Sequence, residues 1–491
     1  MIPRPSSANG GSIAKNTTYL TGALIGQKIL SFLYVLILAR LVGVRVTGDY
    51  FSALSFITLF SIFIDLGLTP AFIRQTARDR QQGLTDLHHI VTFKLLSSAV
   101  VIAALFGSIA LLDSMGRSHP DSLFIRWAAV IMVLDSMTLT LYGYFRGIQR
   151  LEFESIGTIL HRVVVMIIGI TGLVLGAHPV ITVMAVLGGS ASNFLYVVFH
   201  LWRQGVVWRP RLQWRVLRSL LRLALPFGVA GLFTAVYASS DNVLLSIFGG
   251  NREVGLYGLA AKIILAFQIL PAALVAATFP AMSAAFITDR ARLERIFRYS
   301  MQYLMVITVP LMVIVSLLAK QIIILGWGAF WLDAVWPLRF LALALPFLFL
   351  NYPVGYLLNA ANAQTRNTIN IGITVVVNVA LNLVFIEQYT YRSVTIIALG
   401  SAALLFSLGL WYVRRIITVP AQALLTTLGK TLLAGLIVAL FGWWLIPQLD
   451  GRTGAITAAI LMGLLYLVLA FVLRLMRTSD AQALLQRLRR T

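Results

Sequence analysis

Five basic residues lie well inside otherwise apolar stretches, where they could bind an anion: Lys28, Lys94, Arg162, Lys262 and Arg339. Each stretch has the length and apolarity of a transmembrane helix. A Lys or Arg near the bilayer centre costs about 2.5–3.5 kcal/mol, so five facing lipid would cost on the order of 10 kcal/mol or more. These cations are therefore expected to face protein or water. A shared, water-filled positive interior predicts an anionic passenger.

Three carboxylates also lie deep within apolar stretches, namely Asp65, Asp135 and Asp241, whereas the other acidic residues are in loops or near the ends of spans. A buried carboxylate either pairs with a cation or is driven to bind a proton. Both options are open here, so the three are candidates for structural ion pairs or for coupling to proton or sodium movement. Among the cations, Arg339 is near enough to the outer interface to snorkel, whereas Lys28 lies near the middle of its span.

The residue types that support catalysis or metal binding are scarce. The chain has no cysteine, and its six histidines lack metal-ligand spacing within a helix. His161 is the one deep histidine, for which a satisfied core position is expected. No phosphate-cradling loop or hydrolase elbow occurs. The sequence therefore predicts no catalytic residue, no metal and no cofactor.

The elements that carry these side chains are long apolar helices. The chain has 491 residues, of which 59% are hydrophobic and 11% charged, with a mean hydropathy of +0.88. No soluble domain has this composition. The pattern predicts an all-α polytopic membrane protein with about fourteen spans, at 17–42, 50–73, 87–112, 122–145, 155–175, 179–202, 222–248, 255–282, 299–325, 334–360, 367–386, 393–413, 428–446 and 454–475.

The net charge of +22 predicts membrane orientation rather than nucleic-acid binding. With the N-terminus inside, about 26 Lys and Arg residues fall in inward segments and 5 in outward loops. An even number of spans then places both termini in the cytoplasm. No soluble basic domain is available to bind nucleic acid. The longest outward loop, near Asp113–Asp121, has about nine residues, which leaves no room for the catalytic domain of a polysaccharide polymerase or ligase.

An internal repeat predicts two lobes. The pattern G-x4-G-x-Y starts at Gly43 and again at Gly250, 207 residues later, in both cases in an outward loop. Six predicted spans separate the copies, so both have the same orientation, as in parallel repeats about an axis along the membrane normal. The predicted parts are a cytoplasmic tail at 1–16, an N-lobe of helices 1–6 at 17–202, a basic amphipathic linker on anionic inner-leaflet lipids at 203–221, a C-lobe of helices 7–12 at 222–413, helices 13–14 at 414–475 and a basic cytoplasmic tail at 476–491.

Several short motifs, in their order and spacing, resemble the polysaccharide flippases of the multidrug/oligosaccharidyl-lipid/polysaccharide exporter superfamily. The resemblance extends over essentially the whole chain. The motifs are Ala39–Gly43, Gly48–Tyr50, Ile64–Leu68, Tyr144–Gly147, Leu225–Phe227, Ser240–Leu245, Val254–Tyr257, Ala260–Lys262 and Phe279–Pro280.

This resemblance implies a flippase for undecaprenyl-diphosphate-linked oligosaccharides, of the O-antigen or exopolysaccharide type, in a bacterial cytoplasmic membrane. Related flippases have two six-helix lobes around a central cationic cavity and open to each side in turn. Aligned with the lipid II flippases of this superfamily, Lys28 and Lys262 take the positions of cavity arginines. Lys supplies charge but not bidentate phosphate recognition. Lys94 and Arg162 are further candidates in the inner half, and polysaccharide polymerase and glycosyltransferases are candidate partners.

Two alternatives of the same superfamily remain open. One is a lipid II flippase, although a cavity cation on the second helix of those relatives has no counterpart here. The other is a cation-coupled drug or metabolite antiporter, which would be expected to use Asp65, Asp135 or Asp241. The predicted pair of spans beyond the twelve usual for such antiporters argues against it.

Overall fold

A computed structural model describes residues 10–419, 421–449 and 451–475, and every regular element in these ranges is helical. Short 3-10 turns occur at Ala329–Ala334 and Ile446–Gln448. The α-helices are α1 (Gly10–Asp65), α2 (Leu68–Arg78), α3 (Arg80–Ser114), α4 (Ser122–Gly147), α5 (Glu152–Val174), α6 (Ile181–Arg203), α7 (Trp214–Phe248), α8 (Asn251–Ala266), α9 (Ile269–Thr288), α10 (Arg290–Leu317), α11 (Ala319–Trp327), α12 (Val335–Ala342), α13 (Leu345–Ala360), α14 (Gln364–Val413), α15 (Ala421–Leu445) and α16 (Gly451–Val472).

Within the described residues, eleven helical segments are long and apolar enough to cross a membrane, or twelve if the bent pair Ala329–Ala342 and Leu345–Ala360 forms one span. Two of these segments contain a sharp internal break. In α1 the break is at Gly43, with φ 76°, and in α14 it is at Thr390, with φ 47°. A straight helix of the 50 residues in α14 would measure about 75 Å, far more than the roughly 30 Å of hydrocarbon.

The span predicted at 50–73 ends earlier than the apolar pattern suggests. Helix α1 stops at Asp65, because Leu66 and Gly67 have φ angles of 47° and 78°, and α2 begins at Leu68. Gly67 also packs against the backbone of α7, where an added Cβ would overlap the amide of Gly228. A glycine therefore provides both the turn and the close helix contact, which hydropathy does not reveal.

The described residues form two compact units, and the bounds given for each unit apply to those residues alone. The first comprises Met1–Gly258 and Ile386–Thr390. One of its hydrophobic clusters packs α2, α3, α4, α6 and the start of α7 around Phe72, Tyr144 and Phe145, all fully buried. This packing holds the candidate residues of α3 and α4 on a rigid frame.

The two copies of the G-x4-G-x-Y pattern contact each other inside this first unit. A Cβ added at Gly48 would overlap the Asn251 carbonyl, and one added at Gly255 would overlap the Val44 carbonyl. Gly255 is the repeat equivalent of Gly48, and Asn251 that of Val44, at the same 207-residue offset. The contact is thus reciprocal, as expected where two equivalent segments meet at a local two-fold axis.

The second unit comprises Leu259–Phe385 and Tyr391–Thr491. Here α15 and α16 pack on α10, with Val309 and Val313 of α10 against Ala434, Val438 and Met462. The last two spans are therefore part of the packed core of this unit.

The basic linker is only partly helical. Residues 204–213 form no helix, and α3 holds their backbone, because the amides of Arg209 and Arg211 donate to His88 Nδ1 (3.2 Å) and Thr92 Oγ1 (3.1 Å). The amphipathic pattern belongs to the first turns of α7, where Leu217 is buried and Arg215 exposed. The tail at 476–491, with its own amphipathic pattern, and residues 1–9 lie outside the described ranges.

Candidate cationic site

Lys28 and Lys262 are the two cations for which the sequence predicts contact with a passenger. Lys28 lies in α1 and Lys262 in α8, and both have exposed side chains. An ammonium exposed within a membrane span can have lipid, water or polar protein groups around it. Because lipid exposure is costly, water or polar protein groups are the expected surroundings for both. Their predicted contact with a passenger stays a prediction.

Lys94 has a different environment, since it is fully buried in the first unit. Its ammonium forms an ion pair with Asp65 and donates to Thr140 Oγ1 (2.6 Å), Thr69 Oγ1 (3.0 Å) and the carbonyl of Ser136 (3.3 Å). Thr69 also donates its hydroxyl to Asp65. In this conformation Lys94 binds a carboxylate of its own chain, so its predicted contact with a passenger would require another conformation.

Arg162 and Asp135 come together in the first unit, on α5 and α4. Asp135 lies near Ser190 of α6 and interacts electrostatically with Arg162. The Asp135 side chain is exposed. Arg162 is half-buried, and its Nε atom has no hydrogen-bond partner among the described residues. The Asp135 carboxylate is thus accessible, whereas the Nε atom of Arg162 is buried.

Asp241, the third deep carboxylate, is half-buried on α7 and accepts a hydrogen bond from the Tyr257 hydroxyl (2.7 Å). Each deep carboxylate thus has an interacting group: Lys94 for Asp65, Arg162 for Asp135 and Tyr257 for Asp241. Sequence spacing did not reveal the tyrosine partner.

Arg339, predicted to snorkel, is exposed at the end of α12. Its Nε donates to the Ser316 carbonyl at 3.2 Å, and the Ser316 hydroxyl donates to the Arg339 carbonyl at 3.1 Å. This exchange joins α10 to α12 within the second unit and gives Arg339 a structural contact.

Asn251 links several segments of the first unit, a role that the sequence analysis missed. Its Nδ2 donates to Asp49 (2.5 Å) and to the His119 carbonyl (3.0 Å), while its Oδ1 accepts from Ser246 (2.8 Å) and Ser52 (3.2 Å). One amide therefore joins α1, α7, α8 and the α3–α4 loop. In the sequence, the indication of this role is that Asn251 directly follows Gly250 of the repeat.

Comparison with known proteins adds a family and a fold. A family model described as "Polysaccharide biosynthesis protein" matches residues 13–286, more than half of the chain. No curated protein matches the sequence significantly.

Solved transporter structures share the fold at low identity. The lipid II flippase MurJ, in an inward closed conformation, is 16% identical with a TM-score of 0.77, and the match covers 92% of this chain and 98% of MurJ. An inward-facing multidrug resistance MATE family transporter of the MOP superfamily is 18% identical with a TM-score of 0.63, covering 80% and 98%. A MOP superfamily transporter from Pyrococcus furiosus is 18% identical with a TM-score of 0.59, covering 84% and 99%.

Proposed function

Because the chain belongs to the polysaccharide biosynthesis protein family of MOP-superfamily flippases, we propose that it moves undecaprenyl-diphosphate-linked oligosaccharides from the inner to the outer leaflet of the bacterial cytoplasmic membrane. Its relatives are transporters and flippases, not enzymes. The family match over residues 13–286 is the observation that carries the proposal. The transported oligosaccharide would be the repeating unit of a surface polysaccharide such as O-antigen or an exopolysaccharide.

The chemistry of the passenger explains why intramembrane cations are useful. A diphosphate cannot cross hydrocarbon unaided, since it would lose its hydration without replacement. Lys28, Lys262 and Arg162 are proposed to replace part of that hydration in a water-filled cavity that opens to each side of the membrane in turn. The exposure of the two lysines and the partial exposure of Arg162 support this role.

The proposed topology has fourteen spans with both termini in the cytoplasm. The helices broken at Gly43 and Thr390 each count as two spans, and the bent pair around Leu343 counts as one. The excess of Lys and Arg in the segments then assigned to the inside supports the orientation.

The exposed Asp135 carboxylate is the observation that favours a second candidate, a cation-coupled antiporter, because a carboxylate accessible at membrane depth can bind a proton or sodium. A drug-efflux assay separates the two candidates. An antiporter would lower drug accumulation in cells, and Asp135→Asn would abolish that effect. A lipid II flippase is a further alternative within the same fold.

The site assignment is tested in cells that depend on this protein for surface polysaccharide. Lys28→Ala with Lys262→Ala should abolish the polysaccharide while membrane levels of the protein stay normal. Arg126→Ala is the control, because Arg126 is likewise an exposed cation within a candidate span. Normal polysaccharide in the double variant would overturn the assignment of the two lysines.

A further inference from the structure

An open cleft of about 500 Å³ lies in the second unit, at the ends of α10 and α14. Arg290, Arg414 and Arg415 line it together with Glu294 and residues 416–419. In the sequence these arginines contribute only to the predicted membrane orientation. We propose that this cleft binds the phosphate headgroup of an anionic phospholipid of the cytoplasmic leaflet.

Two of the three guanidinium groups are held on aromatic faces. Arg415 lies 3.8 Å from the centroid of the Trp411 ring, and Arg290 lies 4.4 Å from that of Phe286. Stacking fixes the plane of a guanidinium and leaves the N–H groups at its edge available. A planar fork of N–H donors suits the paired oxygens of a phosphate. The cleft is therefore organised for an anion before one arrives.

Hydrogen bonds hold the wall of the cleft in place. Arg290 Nη1 donates to the Ile416 carbonyl at 3.1 Å, and the Thr418 amide donates to Glu294 Oε1 at 2.8 Å. The Glu294 carboxylate is thus engaged with the backbone of the wall. Three guanidinium groups against one carboxylate leave the cleft with an excess of positive charge.

The position of the cleft selects a lipid rather than a soluble anion. Arg290 is the first residue of one candidate span, and Arg414 directly follows another. Beside the cleft, Trp411 is 49% exposed and Ile287 is 84% exposed. Tryptophan at the end of a span is typical of the headgroup region, and exposed isoleucine there can contact acyl chains.

The leaflet follows from the proposed orientation, in which residues 290 and 414 face the cytoplasm, where anionic lipids attract basic segments. A bound headgroup would connect the segment after α14 to the start of α10 and so stabilise the folded second unit. The inference rests on that orientation and on the cleft, and it is independent of which passenger is carried.

The test uses the purified full-length protein in an uncharged detergent. Short-chain phosphatidylglycerol is the probe, and short-chain phosphatidylcholine, inorganic phosphate and undecaprenyl diphosphate are the comparison ligands. Thermal unfolding and native mass spectrometry report binding. Arg414→Gln/Arg415→Gln removes two cleft arginines, and Arg74→Gln/Arg78→Gln is the matched control, since it removes the same charge from exposed positions of α2.

Phosphatidylglycerol should raise the unfolding temperature of the wild type, and phosphatidylcholine should not. Loss of a charge-assisted hydrogen bond should weaken phosphatidylglycerol binding about tenfold or more in Arg414→Gln/Arg415→Gln. The change in Arg74→Gln/Arg78→Gln should be less than about twofold, since surface charge alone is diffuse and screened. Equal weakening in both double variants would overturn the proposal.

Two further results would also overturn the lipid assignment. One is a full thermal shift with inorganic phosphate alone, and the other is tighter binding of undecaprenyl diphosphate than of phosphatidylglycerol at this cleft. If Arg414→Gln/Arg415→Gln does not fold, Arg415→Lys keeps the charge but loses the planar fork, and weaker phosphatidylglycerol binding by this variant supports the proposal. Unchanged binding by Arg415→Lys would count against it. None of these assays measures flipping, so their failure is distinct from failure of the proposed transport function.

Discussion

Replacing Asp65 by Asn should destabilise the protein by about 3–5 kcal/mol, because it leaves the Lys94 ammonium buried without its counter-ion. Lys94 is 0% exposed, and Asp65 is its one anionic partner among its described hydrogen bonds. The hydroxyls of Thr69 and Thr140 would remain, but neutral acceptors do not replace a carboxylate in a low-dielectric interior. Lys94→Met should be destabilising for the converse reason, since Asp65 would lose its cation.

Reversible unfolding in mixed micelles of a mild detergent and dodecyl sulfate measures these changes as a double-mutant cycle. Asp65→Asn/Lys94→Met should be more stable than the sum of the single losses predicts, by about 2 kcal/mol or more. Glu387→Gln is the control, because its ion pair with Arg117 is exposed and should contribute about 0–1 kcal/mol. Additive losses, each below about 1 kcal/mol, would refute the buried ion pair.

Other expectations follow from the glycine contact and from the outer loop. Gly48→Ala and Gly255→Ala should each destabilise the protein by about 1–3 kcal/mol or more in the same unfolding assay, since the new methyl group overlaps a backbone carbonyl. Gly107→Ala, which has open space around it, should be neutral or stabilising, and equal losses at all three positions would contradict the reciprocal contact. Burial lowers the pKa of His119, but its hydrogen bonds with the Pro120 carbonyl and Asp113 outweigh burial and raise that pKa above its usual value. Its contribution to stability should therefore be complete below about pH 6.5 and be lost as the pH rises through the raised value, and a pH series in which His119→Gln has the wild-type slope would contradict this.

The sequence predicted the helical class and most spans, because apolar length is a direct requirement of hydrocarbon. It did not predict the break before Gly67, which depends on backbone contact with α7 rather than on hydropathy. The deep cations were found by position, but position does not distinguish the enclosed Lys94 from the exposed Lys28. That difference depends on which face of the helix packs against protein. A helix that is apolar on nearly all sides has no amphipathic pattern from which this face could be predicted.

The most direct test of the proposed function is flipping by the purified protein in liposomes. An undecaprenyl-diphosphate-linked oligosaccharide would be placed on one leaflet, and its arrival on the other would be detected by a glycosidase confined to that side. We expect protein-dependent transfer that Lys28→Ala/Lys262→Ala abolishes and Arg126→Ala preserves. Absence of transfer with this substrate, together with transfer of lipid II or of a cationic drug by the same preparation, would contradict this expectation.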